Sequence, residues 1–171
     1  TFQLDFDFVD HALLVEATTV ADGSPVADAA VAVAAAYGDY PDLTARRVED
    51  AVTLAHEAGD LVMEDAALDL LSSVHLHRDD LPAAVDVVRR REAVIDALPP
   101  VATTGFEHSD HYKYGAEILL AAGDLPGAAG LARRLAGMPF NREEEHLALA
   151  PGLKIAALAG HFDAVVDQGE R

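Results

Sequence analysis

Apolar residues recur at helical intervals along most of this chain. Leu43, Val48, Val52 and Ala55 lead to Gly59. Met63, Ala67, Leu70, Val74 and His77 form a second series, and Leu81, Ala84, Val88 and Ile95 a third. Residues three and four apart share one side of a helix, so each series predicts a helix with one face to bury. Start and stop signals frame them. Ser24-Pro25 opens a helix reaching about Tyr37, because serine caps free amides and proline fits the first turn. Asp39 is expected to cap the second helix, with Gly59 as its stop. The third spans Leu61 to His77, and the fourth is capped by Asp80 and ends before Pro99-Pro100.

After a connector from Val101 to Gly105, Thr104 with Glu107 reads as a capping box opening a fifth helix that buries Tyr112, Gly115, Leu119 and Ala122. A sixth runs from Asp124 to about Gly137. Asn141 with Glu144 caps a seventh that carries Leu147, Ala150, Leu153, Ala157 and Leu158. Pro151 inside it removes a ladder hydrogen bond, which predicts a kink or break near residues 148–152. A short helix follows His161. At the start, Phe2, Phe6 and Val9 share a helical stripe, read as a helix entered midway in a fragment of a longer polypeptide.

One short turn punctuates this pattern: Gly38-Asp39-Tyr40-Pro41, Asp79-Asp80-Leu81-Pro82, Gly123-Asp124-Leu125-Pro126 and a worn Gly160-His161-Phe162-Asp163. Its aspartates stand 41 and 44 residues apart, and His161 follows 37 further on. Such a period marks stacked helical hairpins, each leaning on its neighbours because it cannot bury its apolar face alone. The fold expected is all-α: about eight helices in stacked antiparallel pairs, a short α-solenoid. It would form one domain over residues 1–171, in units of roughly 24–58, 61–98, 104–137 and 141–171.

Composition narrows the function. Thirty acids against twelve bases give a formal charge of −18, which repels phosphate backbones and argues against direct nucleic-acid binding. The basic run Arg89-Arg90-Arg91 spreads around one helix and reads as a solvated face or an acid-pairing site. No charge-free apolar run is long enough for a membrane span. Without cysteine there are no disulfides and no thiolate metal sites, which fits a cytoplasmic protein.

The stretch from Ala66 to Ile95 resembles a tetratricopeptide (TPR) repeat. Leu71-Ser72 and His75 occupy the large–small and aromatic positions of its first helix, Asp79-Asp80-Leu81 its turn, and Ala84 and Val88 its second helix. Tyr112, Ala116, Gly123-Asp124-Leu125 and Ala128 repeat the pattern, which departs at Gly115, where a large residue is expected. The spacing exceeds the family's usual repeat of about 34 residues, so the chain is TPR-like. The run from Leu54 to Glu92 is similar to helical-repeat segments of bacterial signal-transduction ATPases and LuxR-type transcriptional regulators. In that family such segments recognise inducers or partners. The chain has neither a G-x-x-x-x-G-K-[ST] loop nor a basic recognition helix. The resemblance therefore implies a non-catalytic sensor or interaction segment.

Candidate chemistry centres on eight histidines. Counting back from each turn aligns Glu64 and Asp65 with Glu107, His108, Asp110 and His111, and with Glu143, Glu144, Glu145 and His146. In stacked hairpins these form an acidic, histidine-bearing rim. Acids there also simply complement the helix dipole. His75 and His77 point apart on a helix, one packed and one solvated. Glu143 and His146 form a single Glu-x-x-His where a dimetal bundle needs two, so no metal or cofactor is expected. Ser72, Ser73 and Ser109 lack a nucleophile-elbow context, and no enzymatic activity is expected. Tyr112 reads as core and Tyr114 as exposed.

The TPR-like resemblance places the first helix of each pair on the concave face, so Glu64, Glu107, His108, His111, Tyr114 and His146 are the expected contacts with a protein or peptide partner, possibly a basic one. Two alternatives stand beside this. One is a small-molecule inducer held near His75, Tyr112 and Leu119. The other is a structural spacer forming a homodimer through alanine-rich faces.

Overall fold

The computed structural model describes residues 23–38, 44–99, 101, 104–138 and 145–169, with backbone only at 37–38, 145–148 and 168–169. Eight helices and no strand occur among the described residues: α1 (Pro25–Gly38), α2 (Ala45–Ala58), α3 (Leu61–His77), α4 (Leu81–Ala97), α5 (Gly105–Ala121), α6 (Leu125–Ala136), α7 (Glu145–Leu158) and α8 (Phe162–Gly169). The expected helix at the first residues, the Asp39 cap, Leu43 and the Asn141–Glu144 box lie outside the described residues.

Junctions of two or three residues join four of the helix pairs and share one backbone turn. At Gly59, Asp79, Gly123 and Gly160 the backbone enters the left-handed region, with φ of 69°, 56°, 81° and 81°. The next residue's N–H reaches back to a carbonyl in the last turn. Asp60 donates to Ala55 (3.1 Å), Asp80 to His75, Asp124 to Leu119 and His161 to Ala156 (each 2.9 Å). That bond satisfies a carbonyl the helix end would leave free. The same residue then opens the following helix. Asp60, Asp80 and Asp124 each accept, through Oδ1, the amide three residues on, at 3.1, 3.2 and 3.0 Å. Gly59-Asp60 is a full copy of this device, although in the sequence it reads only as a stop. The turn thus also joins one helix pair to the next, while the eight described helices pack in the consecutive pairs expected of an all-α chain.

The helices form two compact units, divided between Leu98 and Pro99. In the first, α1 packs on α2, α2 on α3 and α3 on α4, with α1 also touching α3. Its core joins Val33 and Ala36 of α1, Val48, Ala51 and Val52 of α2, Leu68, Leu70, Leu71 and Val74 of α3, and Val87 and Val94 of α4. A helix packed on several neighbours must be apolar over most of its girth, which is why α3 buries so many positions. In the second unit, α5 pairs with α6, α6 with α7 and α7 with α8, and α5 also meets α7. Ala128, Leu131, Ala132 and Leu135 form one buried stripe of α6, and α5, which packs on it, buries Tyr112, Ala116, Ile118 and Leu119.

Several local expectations are corrected. The second helix begins at Ala45, later than expected, and is capped by Thr44, whose side chain accepts from Arg47 N–H. Ala122 is exposed because it sits at the C-cap, where the chain turns out. The seventh helix runs unbroken through Pro151. It is also rotated from the expected phase: Pro151 and Ile155 are buried, while Ala150 and Leu158 face solvent. Proline has no N–H to leave unsatisfied in a core, and isoleucine buries more apolar area than alanine.

Candidate functional site

Five of the six expected contact residues can be placed from their side chains; that of His146 lies outside the described set. Glu64, in the first turn of α3, is buried and receives the ring of His56 on α2, with Nδ1 at 3.1 and 3.2 Å from its two oxygens. This contact belongs to the first unit. Glu107, His108, His111 and Tyr114 belong to the second, where all four ride on α5.

The predicted capping box does not form at the start of α5. The Thr104 N–H donates to Val101 (3.0 Å), and the Thr104 hydroxyl donates backwards to the carbonyl of Pro99. Thr104 therefore makes no side-chain cap bond to α5, and its N–H is taken by Val101. Oε2 of Glu107 is consequently buried without a hydrogen-bond partner among the described residues. The Thr104 carbonyl accepts from Nδ1 of His108 at 2.7 Å; since a carbonyl can only accept, Nδ1 carries the proton.

The two histidines of α5 turn inward. His108 is 3% exposed and His111 fully buried. Both meet the ring of Tyr112 edge-on, with centroids 6.0 and 5.7 Å away. The guanidinium of Arg134 on α6 lies 4.6 Å from the same ring, a cation–π contact tying the two helices. His108, His111 and Tyr112 have almost no surface to offer a partner. Tyr112 and Leu119, expected beside an inducer, are buried in the core of the second unit, whereas His75 belongs to the first.

What α5 presents to solvent is different. Phe106 is 77% exposed and Tyr114 41%. They stand eight residues apart, about 12 Å along the axis. Lys113 Nζ lies 5.0 Å from the Tyr114 ring, and the spacing puts Asp110, Lys113 and Glu117 on the side of Phe106. Phe106 is not among the contacts expected from the sequence. Its signal was phase: it lies on the side of α5 opposite Gly115, which is buried.

Arg89, Arg90 and Arg91 take the acid-pairing role. Arg89 approaches Asp86 at 3.4 Å, and Arg90 forks onto both oxygens of Glu49 at 2.7 and 2.9 Å. The hydrogen bonds from Arg90 hold the Glu49 carboxyl below its usual pKa and raise that of Arg90 in return. Arg91 is buried: Nε and Nη2 meet the two oxygens of Asp65 at 2.7 and 3.0 Å, and Nη1 meets Asp69 at 2.7 Å. His75 is half-buried, with Nδ1 3.7 Å from Asp80, while His77 is exposed.

Among the described residues, no group of three or more histidines and carboxylates is arranged to hold a metal ion. No described helix is long and apolar enough to cross a membrane. No family model matches the chain, nor does any curated protein or solved structure.

Proposed function

We propose that this chain is a non-catalytic, cytoplasmic recognition module, the TPR-like sensor or protein-interaction segment of a larger bacterial regulator. Contact runs through the exposed face of α5. The observation that carries this reading is the pairing of Phe106 and Tyr114 in solvent on a helix whose opposite side is sealed by His108, His111 and Tyr112. Exposed aromatics on a rigid helix are suited to partner contact, since they bring large apolar area with few rotamers to order. A surface carrying −18 disfavours anionic partners and directs the reading to a protein or peptide.

The test is a panel of helical peptides of graded charge and of small metabolites, titrated at low and high salt. Phe106→Ala/Tyr114→Ala is the comparison variant, with its fold checked by circular dichroism. Peptide binding that falls at least tenfold in the variant supports the reading. Hits confined to metabolites, or a panel in which no peptide loses affinity through these two substitutions, refute it.

A further inference from the structure

We infer that the α7–α8 junction is a second docking surface, independent of α5, whose occupant is a cationic amphipathic helix of a partner protein. Leu158, the last residue of α7, is 63% exposed, and Phe162 and Val166 of α8 are 66% and 57% exposed. Phe162 and Val166 stand four residues apart and so share one side of α8. Ala164 and Val165 are partly buried, so α8 seats on α7 through another side and leaves this apolar stripe outward.

A helix is the occupant that matches this stripe. In the same unit, an i, i+4 apolar pair such as Leu131 and Leu135 is what one helix presents to another. Charge selects its chemistry. Asp163 and Asp167, each one position on from a stripe residue, are both exposed and run alongside it. Near the junction the one exposed lysine among the described residues is Lys154. A partner with leucine-like residues every three to four positions, flanked by lysine or arginine, meets both stripes at once. A second copy would bring aspartate against aspartate on two chains each carrying −18, so self-association is disfavoured.

The probe is a synthetic leucine–lysine amphipathic helix, followed by fluorescence anisotropy against the full chain. Two controls accompany it: a scrambled peptide of the same composition, and a leucine–glutamate version. The expected result is binding of the leucine–lysine helix that weakens at least tenfold in Phe162→Ser/Val166→Ser and severalfold in Asp163→Asn/Asp167→Asn. Phe106→Ala/Tyr114→Ala should leave it unchanged, which separates this surface from the α5 face. The aspartate variant retains the apolar stripe, and so reads the charge even if the serine variant loosens α8. Equal binding of the scrambled peptide overturns the proposal by reducing it to nonspecific charge attraction. A concentration-dependent dimer lost in the serine variant overturns it by making a second copy the occupant. Absence of binding overturns it outright.

Discussion

Arg91→Met should be the most damaging single substitution in the first unit, and the structure gives the reason. The Asp65 side chain is 2% exposed and that of Arg91 5%, and two hydrogen bonds join them in a planar fork. Methionine has a similar reach but no charge, so the variant leaves the Asp65 carboxylate in the interior without its guanidinium. Breaking a buried pair from one side costs about 3–5 kcal/mol, since the remaining charge keeps its desolvation penalty. Asp69 suffers less, because 30% of its side chain already meets water.

In urea, with a slope of about 1–3 kcal/mol per molar, the unfolding midpoint of the first unit should fall by at least about 1 M. Hydrogen exchange read by mass spectrometry assigns that loss to α3 and α4. The double variant Asp65→Leu/Arg91→Met removes both charges and should recover most of the stability. A penalty below about 1 kcal/mol for Arg91→Met would put the pair at the level of a surface ion pair and refute the reasoning. So would a double variant no more stable than the single one.

Other expectations follow from the junctions and the exposed pair. Glu49 has a lowered folded pKa, so its pair with Arg90 stabilises above the ordinary carboxylate value of 4.5 and loses that contribution as pH falls through the lower folded value. The stability difference between wild type and Glu49→Gln should therefore be present at pH 7, below about 1 kcal/mol for so exposed a pair, and vanish on acidification or in high salt. Gly59→Ala places a side chain at φ 69° with nothing within 4 Å of its Cβ, so about 1–2 kcal/mol of purely conformational destabilisation should appear in thermal unfolding. Gly130→Ala, within α6 and equally unobstructed, should instead stabilise by roughly 0.5–1 kcal/mol. Asp124→Ala should cost about 0.5–2 kcal/mol through loss of the bond to Gly127 N–H, read by denaturant unfolding of the second unit.

Much of the helix inventory was legible because its causes are local. The start at Pro25 rests on Ser24 Oγ accepting from Ala27 N–H at 3.2 Å, and the stops and starts at Gly59, Asp80 and Asp124 rest on bonds spanning five residues or fewer. Phase was harder. Hydrophobic spacing placed Ala67, Leu70, Val74, Ala84, Val88 and Ile95 correctly in the core, yet turned α7 the wrong way, since in an alanine-rich helix several stripes are nearly equivalent. The site was least legible. Aligning acids and histidines on the turns put Glu64, His108 and His111 on a rim, while packing carried all three inside.

By itself the sequence determined an all-helical chain with defined junctions, a strongly acidic surface and no extended membrane-spanning run. Capping, helix propensity and net charge depend on neighbours along the chain or on simple totals. Only the tertiary structure decided which side of each helix faces a neighbour. It turned Arg91 from an apparent surface base into a buried one, diverted Thr104 from Glu107 to Pro99 and Val101, and left Phe106, Phe162 and Val166 in solvent. Those outcomes depend on contacts between residues far apart in sequence, or on a choice among competing local partners that packing resolves.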